Sequence, residues 1–186
     1  AVEAATGDVL VFLEDDDQRE ANAVAIAMDA MNETGAVLVT SNQREVDETG
    51  SFIRINDFAT PSGWNISRPW FDKVGGFDPS FRWHLDNAFI GALMAKLASE
   101  YADPRSKRVH LVESGAHKTE DPTRQAWLGN VARNSVTGET RENEPLVTRI
   151  LHAGSGMHAI ATNPEAARES GAEMARLMEK FGGIPW

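Results

Sequence analysis

The chain has 186 residues, of which 41% are hydrophobic, so it is long enough for one domain with a substantial buried core. Its formal net charge of −10 argues against a nucleic-acid binder and against binding to anionic membranes, because both partners are recognised by basic surfaces. The absence of cysteine excludes disulfides, thiolate metal sites and cysteine catalysis. We expect a cytoplasmic protein, since no signal peptide and no apolar run of about 18 residues is present.

The beginning of the chain predicts a strand, a helix and a second strand. Residues 8–13 are almost entirely apolar, which is typical of a buried strand in a parallel sheet. Residues 18–33 carry apolar side chains at helical spacing, and Gly35 supplies a stop. Residues 36–42 form a second apolar strand. We therefore expect one right-handed βαβ unit and an α/β fold.

The rest of the chain predicts further strands and helices. The expected elements are a polar stretch ending in a turn (43–62), a strand, short helix and Gly-Gly turn (64–78), a helix (86–102), a strand (108–113), a helix (121–135), a polar loop (137–145), a strand or loop base (146–154) and a C-terminal helix (163–182). We expect them in a single domain that spans residues 1–186.

Four consecutive acids, Glu14, Asp15, Asp16 and Asp17, follow the first predicted strand. Like charges at this spacing raise one another's pKa, and a divalent cation removes the repulsion. Carboxylate oxygens suit Mg²⁺ or Mn²⁺, which also accept substrate phosphates as ligands. A solvated acidic turn that caps the following helix is the alternative explanation.

Two segments of the chain resemble the GT-A nucleotide-sugar glycosyltransferases, in particular family 2-like members. The segment AATGDVLVFLEDDD is similar to their metal-binding strand, which ends in a DxD or EDD motif. The segment SGWNISRPWFDKVGGFDPSFRWHLDN is similar to their acceptor-side segment, in which a carboxylate follows a Gly-Gly-Phe-Asp turn. The two motifs stand in the family's order about sixty residues apart, and the resemblance extends over roughly residues 4–120.

This resemblance implies a GT-A-like fold, which is a three-layer α/β/α sandwich with a mainly parallel sheet. In complete GT-A domains, nucleotide-binding strands precede the metal-binding strand, which here stands near the start of the sequence. The resemblance therefore implies a fold that is incomplete at the N-terminus, and a partner chain or missing segment that completes the sheet. It also implies a metal-dependent enzyme that transfers a sugar from a nucleotide-diphosphate donor to a hydroxyl of a glycan, small molecule or protein.

The acids carry the chemistry that the resemblance implies. Glu14, Asp15 and Asp16 correspond to the acidic triplet that meets the metal and the donor, and its last member, Asp16, holds Mn²⁺ or Mg²⁺. A frame that pairs Asp15 with Asp17 also satisfies the motif, and Asp17 is expected at the substrate. Asp86 stands where inverting members keep the general base that deprotonates the acceptor hydroxyl.

A histidine beyond a later strand is a further metal ligand in many GT-A enzymes. His117 is the preferred candidate, because a loop position after a strand can converge on the acids. His110 lies inside the same predicted strand and is better explained as a buried structural histidine. His152 and His158 are the remaining alternatives.

Three residues of the acceptor-side segment are expected at the substrate. Gly75 and Gly76 would let the backbone approach the sugar or the acceptor closely, although a simple tight turn also explains them. Trp83 is expected at an acceptor pocket, because aromatic faces bind the apolar faces of sugar rings.

Two other functions stay open. The family often has a glutamate before the base, whereas this chain has Leu85, which leaves inversion and retention both open. The same departure fits a non-catalytic carbohydrate-binding or assembly module derived from a glycosyltransferase. The acids alone also fit another Mg²⁺-dependent phosphotransfer or hydrolase enzyme.

Overall fold

A computed structural model describes residues 2–56, 60–111 and 145–183. Its strands are β1 (Val9–Val11), β2 (Gln18–Arg19), β3 (Leu38–Ser41), β4 (Gln43–Asp47), β5 (Phe52–Asn56), β6 (Asn65–Ser67), β7 (Arg108–Leu111) and β8 (Val147–Leu151). Its α-helices are α1 (Ala23–Thr34), α2 (Arg68–Val74), α3 (Leu85–Ala98), α4 (Gly156–Thr162) and α5 (Pro164–Phe181). This alternation confirms the α/β class.

The described strands form two mixed sheets, with strand orders β1-β6-β3-β7 and β2-β8-β4-β5. In the first sheet β6 runs antiparallel to β1 and β3, and β7 is parallel to β3. In the second sheet β8 is parallel to β4, and the outer strands β2 and β5 are antiparallel to their neighbours. The expectation of a mainly parallel sheet is therefore wrong.

A hairpin within the polar segment explains part of this difference. Asp47 Oδ1 accepts hydrogen bonds from the amides of Thr49 and Ser51 at 2.8 and 2.9 Å, and Gly50 has a φ of 84°. These contacts build the turn between β4 and β5, a segment that the sequence predicts as irregular. In the other sheet, β6 enters between β1 and β3 in the opposite direction, so two parallel strands are separated by an antiparallel one.

The helix predicted at residues 18–33 begins later than expected, at Ala23. The residues before it extend instead, because β2 pairs with β8 of the second sheet. The predicted stop is confirmed: Gly35 has a φ of 64°, and its amide donates to Met31 O.

An aromatic core lies against the first sheet. Trp64 and Phe89 are almost completely buried, with ring centroids 5.5 Å apart. Phe77, which follows the Gly-Gly turn, packs on Phe12, the residue after β1, with ring centroids 5.4 Å apart. The turn of the acceptor-side segment is therefore packed on the strand that leads into the acids.

The C-terminal helix α5 is confirmed within one residue at each end of the predicted range 163–182. Asn163 caps it by accepting from the amides of Glu165 and Ala166, and Gly182 ends it with a φ of 71°. No helix among the described residues, α5 included, has the length and apolar character needed to cross a membrane.

Two further elements differ from the sequence expectations, and two predicted segments lie outside the described residues. Helix α3 ends at Ala98 rather than residue 102, and α4, which Ser155 caps, was not predicted from the sequence. The helix predicted at residues 121–135 lies outside the described residues, as does the polar loop up to residue 144.

Strand β1 lies at one edge of its sheet and pairs only with β6 among the described strands. Val11 is 42% exposed and Leu13 is 51% exposed beside this edge. An open edge on the acid-bearing strand is what the resemblance implies, and the segment or chain that would pair with it stays a prediction.

A packing test follows from the glycine at the contact between α3 and the end of α5. A Cβ at Gly91 would lie 2.5 Å from Cε2 of Phe181, so Gly91→Ala should lower the free energy of unfolding by about 1–3 kcal/mol. Gly171→Ala on α5, where no atom lies within 4 Å, should raise it by about 0.5–1 kcal/mol. Urea unfolding followed by circular dichroism measures both, and a stabilised Gly91→Ala variant would contradict the packing.

Candidate active site

The four consecutive acids form the loop between β1 and β2, which we name the acid loop (Glu14–Asp17). Exposure falls along its last three residues: Asp15 is exposed, Asp16 is half-buried and Asp17 is 8% exposed. The loop therefore turns its final carboxylates toward the protein, instead of presenting all four to solvent as a simple helix cap would.

The guanidinium of Arg19 ties the acid loop to β6. It donates to the carbonyl oxygens of Phe12 and Trp64 at 3.1 and 2.9 Å, to Ser62 O at 2.9 Å and to Asn65 Oδ1 at 3.0 Å. Burial disfavours its charged form and lowers the pKa of Arg19 to about 10. Because Phe12 and Arg19 flank the acids, these bonds close the loop at its base.

Asp17 is the most deeply buried acid of the loop. Its Oδ1 accepts from the amide of Ile150 at 3.3 Å, whereas its buried Oδ2 has no hydrogen-bond donor among the described residues. Burial raises the pKa of Asp17, while the Ile150 amide opposes the rise. Desolvation and the charge of Asp17 raise the pKa of Glu14 in the same way. The loop therefore lacks part of the positive charge that would keep it fully ionised.

His152, directly after β8, is the histidine that meets the acid loop. Its Nε2 lies 2.7 Å from Asp16 Oδ2, and its Nδ1 accepts from the amide of Gly154 at 3.1 Å. Since Nδ1 acts as an acceptor, the proton of the neutral ring is on Nε2 and points at Asp16. The two side chains are 30% and 38% exposed, so the pair is open to solvent.

The other histidines give a clear contrast. His110 is 1% exposed and is bonded on both sides, by Thr40 Oγ1 at 2.7 Å and Asn42 Oδ1 at 2.6 Å, so it is a structural histidine as expected. His158 is exposed on α4. His117, the preferred metal ligand from the sequence, lies outside the described residues and stays a prediction.

Arg149 of β8 brings positive charge to the same region. Its Nη1 lies 3.6 Å from Oε1 of Glu45, a carboxylate of β4 with no exposed side-chain surface. The Arg149 charge lowers the pKa of Glu14, Asp17 and Asp86 against the effect of burial. Both Arg149 and Glu45 are functional-site neighbours that the sequence did not indicate, because their positions depend on the pairing of β4 with β8.

Asp86 lies in the first turn of α3, and its Oδ1 accepts from the amide of Asn87 at 2.8 Å. Burial raises the pKa of Asp86, while the Asn87 amide, His84 and Arg149 oppose the rise. A raised pKa suits a general base, because it brings proton affinity closer to neutral pH.

The carboxylate of Glu173 on α5 fixes the segment that precedes Asp86. Its oxygens accept from the amides of Arg82, Trp83 and His84 at 2.9, 2.8 and 3.1 Å. Burial alone would raise the pKa of Glu173, but the three backbone donors lower it overall. The C-terminal helix therefore holds the start of α3, and with it Asp86.

The side chain of Trp83 contacts the same helix, α5, that holds its backbone amide. Its Nε1 donates to Glu169 Oε2 at 3.1 Å, and the Arg82 guanidinium lies 4.8 Å from a ring centroid. A Cβ at Gly156 would lie 3.9 Å from the ring, so Trp83 lies close to the start of α4. Arg82 covers part of the ring that was expected to receive a sugar.

The Gly-Gly turn is confirmed after α2. Gly75 and Gly76 have φ values of 92° and 73°, which a glycine adopts without strain. A Cβ at Gly76 would lie 3.2 Å from the Phe71 ring, whereas a Cβ at Gly75 would meet no atom within 4 Å. Close packing therefore restricts Gly76 and leaves Gly75 open to an approaching ligand.

The acid loop and His152 fit a divalent cation in part. Asp16 and His152 would supply one oxygen and one nitrogen, and the buried Oδ2 of Asp17 is an acceptor left over beside them. No cluster of three or more potential ligands exists among the described residues, so two protein ligands would leave several positions for phosphate oxygens and water.

The Glu173 clamp predicts a pH-dependent loss of stability. Glu173→Gln should lower the free energy of unfolding at pH 7 by about 1–3 kcal/mol, because the amides lose a charged acceptor. Because the pKa of Glu173 is lowered, its ionised form stabilises the fold at pH values above the unfolded-state pKa of about 4.5. This stabilisation is lost as the pH falls through the folded-state pKa, so the difference in unfolding free energy between variant and wild type should shrink at pH 3. Urea titrations at both pH values measure it, with Glu169→Gln as the control. An undiminished deficit at pH 3 would refute the assignment.

The raised pKa of Asp86 predicts the opposite effect. The ionised form of Asp86 lowers the stability of the fold at pH 7. This destabilisation disappears as the pH falls below the raised pKa of Asp86 in the folded protein. Asp86→Asn should therefore raise Tm at pH 7 by about 2–4 °C, and by less at pH 4. Differential scanning calorimetry at both pH values tests this against the exposed control Asp8→Asn, and a lower Tm at pH 7 would contradict it.

The comparisons with known proteins add no family to this picture. The chain matches no family model, no curated protein and no solved structure. The features that bear on function are therefore those of the site itself, in particular Asp16, His152, Asp17 and Asp86.

Proposed function

We propose that the protein is a metal-dependent glycosyltransferase that moves a sugar from a nucleotide-diphosphate donor to an acceptor hydroxyl. The observation that carries the proposal is the 2.7 Å contact between Asp16 and His152, and the next residue, Asp17, adds a buried oxygen that has no hydrogen-bond partner among the described residues. A carboxylate and an imidazole at an open strand end suit a cation that takes its other ligands from a diphosphate.

Asp16 and His152 are the residues that would hold Mn²⁺ or Mg²⁺. The bound metal would supply charge neutralisation at the diphosphate leaving group. Glu14 and Asp15 would complete the negative surface of the acid loop, and Asp17 would add a further carboxylate next to Asp16. The open geometry of the pair, with both side chains about one-third exposed, leaves room for the donor.

Asp86 would act on the acceptor. Its carboxylate takes the proton of the acceptor hydroxyl while that oxygen forms a bond to the anomeric carbon of the donor sugar. The bond from the anomeric carbon to the diphosphate oxygen breaks, and the diphosphate leaves with the electron pair. Glu173 is a positioning residue in this scheme, because it holds the amides just before α3.

The proposal extends to the fold. The acid-bearing strand β1, the Gly-Gly-Phe-Asp turn and Asp86 stand in the order of the GT-A enzymes that the sequence resembles. Packing of Phe77 on Phe12 supports this part of the proposal, since it joins the turn to the acid-bearing strand. The open edge of β1 is where we propose that a further strand, from this or another chain, completes a GT-A-like sheet.

The test of the proposed site is metal binding together with sugar-nucleotide turnover. Asp16→Asn and His152→Ala should each weaken Mn²⁺ binding by about tenfold or more and abolish metal-dependent release of UDP or GDP from sugar donors. The matched control is His158→Ala, which removes an exposed histidine six residues further along the chain. Isothermal titration calorimetry measures the first quantity, and a nucleoside-diphosphate assay measures the second.

Each alternative function has its own outcome in these assays. Release of free phosphate without nucleoside diphosphate would favour a phosphotransfer or hydrolase enzyme. Glycan binding without any heat from UDP or GDP plus Mn²⁺ would favour a non-catalytic module. Equal Mn²⁺ affinity in wild type and Asp16→Asn would remove the basis of the proposed site.

A further inference from the structure

The position of Arg149 suggests how the charge of the acid loop is balanced. Arg149 lies on β8, the strand that meets the acid loop twice, through the Ile150 amide at Asp17 and through His152 at Asp16. Its guanidinium is mostly buried, with 18% of the side chain exposed. The positive charge of Arg149 therefore lies on the strand that contacts the acid loop.

Glu45 of β4 is the acid that pairs with the Arg149 guanidinium. Glu45 is fully buried, and it also accepts from Arg54 Nε at 2.5 Å and from Asn56 Nδ2 at 2.8 Å. The contact between Arg149 and Glu45 joins Nη1 to Oε1 at 3.6 Å, and the planar guanidinium has further N–H groups that can serve another anion. The charge of Arg149 can therefore also act on its other surroundings.

Those surroundings are the acids of the proposed site. The charge of Arg149 favours the ionised forms of Glu14, Asp17 and Asp86, and thereby lowers the pKa of each. These three carboxyl groups come from two separate parts of the chain. The register of β2 on β8 supports this influence for the acid loop, because Gln18 pairs with Thr148 and the next residues on the two strands are Asp17 and Arg149.

We propose that Arg149 is a built-in counter-ion of the acid loop, which weakens divalent-metal binding by the free protein and couples it to diphosphate binding. The inference rests on the proposed metal site. A fixed positive charge repels an incoming divalent cation, and a diphosphate that pairs with the guanidinium removes this repulsion. Metal and diphosphate should therefore strengthen each other's binding by the same factor, as linkage requires.

Mn²⁺ titrations of the full chain test the proposal without any turnover. Arg149→Met should bind Mn²⁺ about tenfold more tightly than wild type, because the repelling charge is gone. Inorganic pyrophosphate should increase Mn²⁺ affinity about fivefold or more in wild type and much less in Arg149→Met. Electron paramagnetic resonance of free Mn²⁺ measures all four affinities, after correction for the Mn²⁺–pyrophosphate complex in protein-free solution.

Arg54→Met is the matched control. It removes the other guanidinium that pairs with Glu45, but Arg54 lies on the edge strand β5 with 59% of its side chain exposed. Its Mn²⁺ affinity should equal that of wild type within twofold. Arg149→Gln, which keeps a hydrogen-bond donor for Glu45, replaces Arg149→Met if that variant fails to fold, and the same tightening is expected.

The outcomes separate this inference from the proposed function. Tighter Mn²⁺ binding in Arg149→Met but not in Arg54→Met supports the inference. Mn²⁺ binding that is absent from wild type and appears in Arg149→Met also supports it. Unchanged or weaker Mn²⁺ binding in both Arg149 variants overturns it while the metal site stands. Absence of Mn²⁺ binding from wild type and from both Arg149 variants overturns the metal site and this inference together.

Discussion

The buried guanidinium of Arg19 is the interaction on which the site depends. It joins three main-chain carbonyls and Asn65 across the gap between the two sheets, where no strand pairing could do so. Burying this charge is costly, and four acceptors offset the cost. Because the bonds reach Phe12 on one side of the acid loop, the loop has a fixed base. Its acids can then face each other in spite of their repulsion.

Both sheets contribute residues around the acid loop. The first sheet delivers the acid loop from β1, and the second delivers Arg149 on β8 and His152 directly after it. Helix α5 contributes from outside both sheets, since Glu173 holds the amides that precede Asp86. Contacts between distant parts of the chain therefore hold the residues of the proposed site.

Local patterns in the sequence predicted the elements with strong signals. The apolar strands, the helix caps at Asn163 and Gly182 and the Gly-Gly turn depend on nearby residues, and all of them are confirmed. The sheet pairing was missed because it depends on distant residues: polar β4 and β5 are stabilised by one another and by β8. His152 was ranked below His117 for the same reason, since only the pairing of β2 with β8 brings it to Asp16.

The separation of Asp16 and His152 along the chain has a consequence for how the protein folds. These residues are 136 positions apart, and Asp17 and Ile150 are 133 apart. Closing so long a loop has an entropic cost, and the chain incurs it before the contact can stabilise the protein. During synthesis the acids emerge first and remain hydrated until β8 has left the ribosome. The site is therefore completed late, and its assembly reports that nearly the whole chain has reached its native topology.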